Sequence, residues 1–362
     1  MASRSRVKVI LFDDVEDMRD EISGSLKRQL GKEGTVQVFD LERRGAEAEE
    51  ALTYEDRLTR SLSRAPYAGA TLLVADAALS QSSGYRGLSV GAVISAGRKL
   101  AVPICDYARD PSPDKWRVRW EEGRINLSLA EGVDEFARRV ILIARGFATI
   151  ATQLPVITRT KANRNPAALL AALLGKPEYV DKIALYSVGD QNRIADMSPP
   201  DQEKKEQGRR LVNFLGHWIW DSLLRYPGVL VNEVAAASYL NIAAGDFRKP
   251  KVRAIFKKAL YDGPFADKQR PQWWRGMLDD LVAQSGHKDG LQLARNKTSN
   301  PRIARSECCE DSSKAAGYYC IISEAPVSLE NSKGGLSWFP RGADLTRISK
   351  TRFDEYSPWL GN

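Results

Sequence analysis

Histidine is almost missing from this chain: His217 and His287 are the only two among 362 residues, and neither belongs to a paired metalloprotease-type pattern. Acid–base or nucleophilic catalysis built on imidazole therefore has few possible players. Cysteine is scarce as well. Cys105, Cys308, Cys309 and Cys320 do not make the spread disulfide framework of a small secreted domain, and they match none of the usual paired zinc spacings, even with His287 as a remote fourth ligand. Small buried thiols are expected there, and zinc is not. A glycine-rich loop that cradles phosphate is also missing. The most apolar stretch, residues 140–147, is interrupted by Arg145 and Gly146, short of the roughly 20 apolar residues that a membrane span needs. No apolar leader follows Met1. These absences lead to the expectation of a cytoplasmic protein with no membrane segment.

What is present is ordinary globular material of uneven charge. An apolar fraction of 43% and a charged fraction of 28% exclude a wholly disordered chain, and 362 residues suffice for two or three domains with cores of their own. Residues 1–155 hold 23 Lys and Arg against 23 Asp and Glu, whereas residues 156–362 hold 31 against 23, so the whole formal charge of +8 lies in the second part. An acidic partner, nucleic acid or protein, is expected there.

The first part is organised around two apolar runs. Residues 7–14 (VKVILFDD) and 70–76 (ATLLVAD) have strand length and end in carboxylates, Asp13 and Asp14 in one and Asp76 in the other. Buried parallel strands look like this where their carboxyl ends open on a ligand crevice. Between them Met18, Ile22, Leu26 and Leu30 mark one face of a helix that Gly31 and Gly34 stop. Residues 35–39 read as a second strand and residues 42–64 as a charged helix. After Asp76 come a loop at 84–87, a helix over 88–100, and a fourth strand over 101–105, whose Pro103 argues for its first turn or a sheet edge. Residues 125–129 hold the fifth-strand position, and Val133, Phe136, Val140, Ile141, Ala144 and Phe147 follow the period of a closing helix. Strand–helix alternation of this kind predicts a doubly wound parallel sheet.

Two adjacent acids after the first strand and one after the third resemble the acidic pocket of response-regulator receiver domains. The resemblance covers the N-terminal part only. It implies that Asp13, Asp14 and Asp76 hold Mg²⁺, that Asp76 is the phospho-acceptor, and that the chain serves signal transduction through a phosphorelay. Receiver-like domains also accompany bacterial signalling and defence assemblies. The chain departs from the family pattern in three ways. The spacing of 62 from Asp14 to Asp76 is long for a receiver. Asp106 or Tyr107 stands where a Ser or Thr follows the fourth strand, and residues 125–129 offer no Lys. Without that hydroxyl and that cation a phosphoryl-driven change loses its usual drivers. The resemblance is therefore to a degenerate receiver, a pseudo-receiver.

Residues 155–166 are bounded by prolines and carry Arg159, Lys161 and Arg164, a basic linker. Beyond it helices are expected over 166–174, 177–186, 201–225, 232–241, 250–261 and 271–284, then short strands at 318–322, 326–329 and 336–339. The expected architecture is an α/β flavodoxin-like doubly wound domain over 1–153, a linker over 154–166, and a basic, mainly α-helical output domain over 167–362 that ends in a few short strands. Residues 234–247 have helix-turn-helix-like spacing and precede Arg248, Lys249, Lys251, Arg253, Lys257 and Lys258, cations suited to phosphate contacts. A solvated basic face on a core helix, with Val252, Ile255, Phe256 and Leu260 inward, explains the same residues. Trp218, Trp220, Trp273, Trp274, Trp338 and Trp359 suit a helical core better than a ligand surface. The leading functional expectation is a regulatory adaptor with a protein partner. The alternatives are a DNA-binding transcription regulator and an enzyme centred on residues 307–310 or on the stretch 338–344, which holds Arg341 and Asp344. The oligomeric state is not legible.

Overall fold

The computed structural model describes residues 6–40, 53–79, 89–108, 124–159, 165–186 and 204–357. Residues 42–52 of the expected charged helix, the loop at 84–87, residues 160–164 of the linker and Trp359 lie outside the described residues. The chain divides into two compact units, Met1–Arg164 with Arg193–His217, and Asn165–Asn192 with Trp218–Asn362.

The first unit contains β1 (Val7–Phe12), α1 (Glu16–Leu30), β2 (Gly34–Val38), α2 (Tyr54–Leu62), β3 (Leu72–Asp76), α3 (Val90–Leu100), β4 (Ile104–Ala108), β5 (Ile125–Ser128) and α4 (Val133–Ile157). The strands form one parallel sheet in the flavodoxin-like order β2-β1-β3-β4-β5. β1 and β3 are continuous apolar runs because helices cover both faces of the sheet. On one face Ile10, Phe12, Leu73 and Ala75 pack with Leu58, Leu62 and Val93 of α2 and α3. α1 turns Ile22, Leu26 and Leu30 inward, as their spacing predicts, and Ser25 and Arg28 reach Asp134 at the start of α4 (2.5 and 2.7 Å). Pro103 precedes β4, which is a central strand and not an edge.

α4 departs from expectation. The helix is present through Phe147 as expected, but it runs 25 residues to Ile157, past the expected start of the linker. By length and composition alone it is apolar enough to cross a membrane. Its inward face, including Phe136, Val140, Ile143 and Phe147, is buried within the unit, and Arg145 reaches Glu33 at 2.6 Å. Helices α5 (Pro166–Leu173) and α6 (Val180–Tyr186) belong to the second unit, whereas α7 (Lys204–Trp218) lies in the first as far as His217. Gly216 permits this docking, since a Cβ there would stand 2.1 Å from the Phe147 ring of α4.

The second unit continues with β6 (Leu230–Asn232), α8 (Glu233–Tyr239), α9 (Ala244–Phe247), α10 (Pro250–Ile255), β7 (Gln272–Trp274), α11 (Arg275–Gln284), α12 (Gly290–Thr298), β8 (Tyr318–Cys320), β9 (Ala325–Val327), β10 (Ser332–Lys333), β11 (Thr346–Ser349) and α13 (Lys350–Tyr356). β6 pairs with β7, and the later strands form a sheet in the order β10-β11-β8-β9. Helices with short strands were expected, but several boundaries differ. Residues 272–274 are a strand rather than the first turn of a helix, residues 336–339 are a turn rather than a strand, and α12 was not anticipated. The core gathers Val231, Phe247, Phe256, Trp273, Leu278 and Leu293, with Phe247 edge-on to Trp273 at 5.1 Å. Trp218, Trp273 and Trp274 are buried core residues, while Trp220 and Trp338 are half-buried.

Candidate metal centre at the carboxyl edge of the sheet

The strand order reverses between β1 and β3, and a doubly wound sheet opens its ligand crevice at such a point. Phe12 is registered with Ala75, so the residues that follow, Asp13 and Asp76, emerge side by side. The structure brings together all three expected acids: Asp13, Asp14 and Asp76 each offer an oxygen, and these oxygens lie within 4.8 Å of one another. Asp13 and Asp76 are buried, and Asp14 is half-buried.

Local turns hold the carboxylates. Asp13 Oδ1 accepts the Val15 N–H at 2.8 Å, and Asp76 Oδ1 accepts the Ala78 N–H at 2.8 Å. The second oxygen of Asp13 accepts the Tyr107 hydroxyl. Oδ2 of Asp14 is buried without a hydrogen-bond partner in the structure. A buried carboxylate oxygen left that way is costly unless something else satisfies it. Three carboxylates with an orphaned oxygen fit a hard, oxygen-seeking cation such as Mg²⁺.

Tyr107 and Asp106 take opposite faces of β4. The Tyr107 ring, 1% exposed, packs on Phe136 of α4 with centroids 4.9 Å apart, which aims its hydroxyl at Asp13. Asp106 is paired with Arg124 at 3.2 Å and accepts from the amide of Asn126, its neighbour across the β4–β5 ladder. The positions that depart from the receiver pattern are thus committed to internal contacts. Composition and spacing gave no hint of the Tyr107–Asp13 contact or of the Asp106–Arg124–Asn126 group. The alternation of side chains along β4 would have separated Asp106 from Tyr107, but only the register of β5 identifies Asn126 as the partner.

In the second unit the six expected cations are divided. Arg248 and Arg253 both reach Glu233, and Lys249 pairs with Asp246 at 2.5 Å. Lys251, Lys257 and Lys258 are exposed. Pro250 opens α10 instead of interrupting a recognition helix, and α9, the second helix of the helix-turn-helix-like spacing, is a single four-residue turn. Val252 and Phe256 are buried, as a core helix with a basic outer face requires.

Cys308, Cys309, Cys320 and His287 form no metal-sized group among the described residues. Burial pushes the Cys308 thiol up, but the backbone N–H groups of Glu310 and Ser328 hold it below its ordinary value. Cys308 is buried, at 2% exposure, and Cys309 beside it is exposed. Asp344 pairs with Arg275 at 2.6 Å, so the ion pair that ties its loop runs to α11 and not to Arg341.

Fold and site define the first unit as a flavodoxin-like α/β domain with a carboxylate cluster at its topological switch point. Comparison with family models, with curated proteins and with solved structures gives no match for this chain.

Proposed function

We propose that the chain is a regulatory adaptor whose first unit is a degenerate receiver: it holds a divalent cation at Asp13, Asp14 and Asp76 and docks a protein partner without phosphoryl-driven switching. The second unit carries the output. The observation that supports this reading is the commitment of the two groups nearest the usual switch positions. A receiver switch needs a hydroxyl free to follow the new phosphoryl group and a cation free to pair with it. Here the Tyr107 hydroxyl is held by Asp13 from a buried ring, and Arg124 is held by Asp106. A bound Mg²⁺ would supply charge neutralisation to the carboxylates. Beryllofluoride, a phosphoryl mimic, tests the reading when added with Mg²⁺ to the full chain. Light scattering should show an unchanged oligomeric state; a beryllofluoride-driven dimer would mean that the switch operates.

A second reading rests on Lys251, Lys257 and Lys258, which are exposed beside α10 and suit contacts to a nucleic-acid backbone. If they bind duplex DNA, the logarithm of affinity should fall against the logarithm of salt with a slope of about −2 to −3, set by roughly three phosphate contacts. Reversal of the three lysines to Glu should then abolish the mobility shift at low salt. An unaltered shift in that triple variant removes these lysines from any DNA contact.

A further inference from the structure

The amino edge of the same sheet carries a cavity that the acidic chemistry does not use. The chain just before β1, β3 and β4 meets the last turns of α4 and the first half of α7 around a space of about 550 Å³. Small-molecule sites span about 300–1,000 Å³. Leu62, Leu73, Leu100, Phe147, Leu154 and Val212 make its apolar walls. The space is partly open to solvent, so an alkyl chain seated in it would take these apolar walls out of water.

The charges at this cavity have one sign. Among the described residues no Asp or Glu lines it, and the charged ones that do are Arg6 and Arg209, both exposed and in no ion pair there. Some other cations of the unit are matched, Arg28 by Asp134, Lys99 by Asp56 and Arg145 by Glu33. Gly208, on the α7 wall, faces empty space, for a Cβ there would have no heavy atom within 4 Å. A glycine in a helix is unfavourable, and this one leaves the cavity open where any side chain would narrow it.

We propose that the cavity binds a single-chain anionic amphiphile, with its alkyl chain along the apolar walls and a carboxylate or phosphate head at Arg6 and Arg209. Planar guanidinium groups suit both heads, which they bind through paired N–H donors. A chain without a charged head leaves the two arginines unmatched, and a small anion without a chain leaves the walls unfilled.

Calorimetric titration of the full chain with laurate, dodecyl phosphate, dodecanol and inorganic phosphate, all below micelle formation, tests this. Laurate or dodecyl phosphate should bind saturably, and the tighter of the two identifies the head group. Dodecanol and inorganic phosphate should each bind about tenfold more weakly or worse. Arg6→Gln with Arg209→Gln should cost the anionic ligand at least about tenfold while leaving dodecanol unchanged. Gly208→Leu should abolish binding with an equal or higher melting temperature, since it fills the space and favours the helix. Equal affinity for dodecanol and laurate, full binding by Gly208→Leu, or no saturable binding by any amphiphile would each overturn the proposal.

Discussion

Replacement of Arg124 by Met is expected to destabilise the first unit by about 3–5 kcal/mol, the cost of removing one member of a buried ion pair. Asp106 and Arg124 expose 8% and 15% of their side chains, so water cannot take over the role of the missing partner. The Asn126 amide would remain as a donor, but a neutral amide does not neutralise a charge. The double variant Arg124→Met with Asp106→Leu should recover most of the loss, because an apolar pair of similar volume commonly equals or exceeds a buried ion pair. Urea unfolding of the full chain, followed through the transition of the first unit, measures both. A single-variant loss below about 1 kcal/mol, the range of exposed pairs, would mean that Asp106 is not held as a buried ion.

Magnesium at about a hundred times its dissociation constant is expected to stabilise the first unit by about 2.7 kcal/mol. Carboxylate oxygens within 4.8 Å of one another repel by on the order of 3 kcal/mol per pair at an effective dielectric constant near 20. A divalent cation converts that repulsion into attraction. Asp13→Ala and Asp76→Ala should lose the effect, but Asp13→Ala also strips the Tyr107 hydroxyl of its acceptor and so mixes two causes. Asp14→Asn is the cleaner variant. It removes one charge at the half-buried position with the orphaned oxygen, so it should raise stability without Mg²⁺ and reduce the gain on adding it. Melting temperatures with and without Mg²⁺ decide the matter, and identical values for the unaltered protein would show that the three acids do not hold the cation.

The first unit was legible where local chemistry and burial agree. Continuous apolar runs such as β1 and β3 suit a strand covered on both faces, and terminal carboxylates mark the end that faces solvent, so Asp13, Asp14 and Asp76 could be assigned to one edge from the sequence. The four-residue recurrence of Ile22, Leu26 and Leu30 marked the buried face of α1 for the same reason. The second unit was less legible. Its elements are short, and in three-residue strands such as β6 and β7 no period can develop; Trp273 and Trp274 read equally well as the start of a helix.

Hydrophobic period, strand-end polarity and composition were enough to place the parallel sheet, bring the three acids to one edge and divide the charge between the two parts. Tertiary structure alone decided what the charged and polar groups do. Tyr107 turns to Asp13 because its ring is fixed on Phe136, Arg124 is spent on Asp106 because β5 registers Asn126 beside it, and three of the six cations near α10 are matched by Glu233 and Asp246. The return of α7 to the first unit, and with it the cavity below the sheet, depends on a glycine that lets two helices touch. Apart from the local Lys249–Asp246 pair, each of these is a contact between residues far apart in the chain, set by register and close packing, which neither residue type nor spacing encodes.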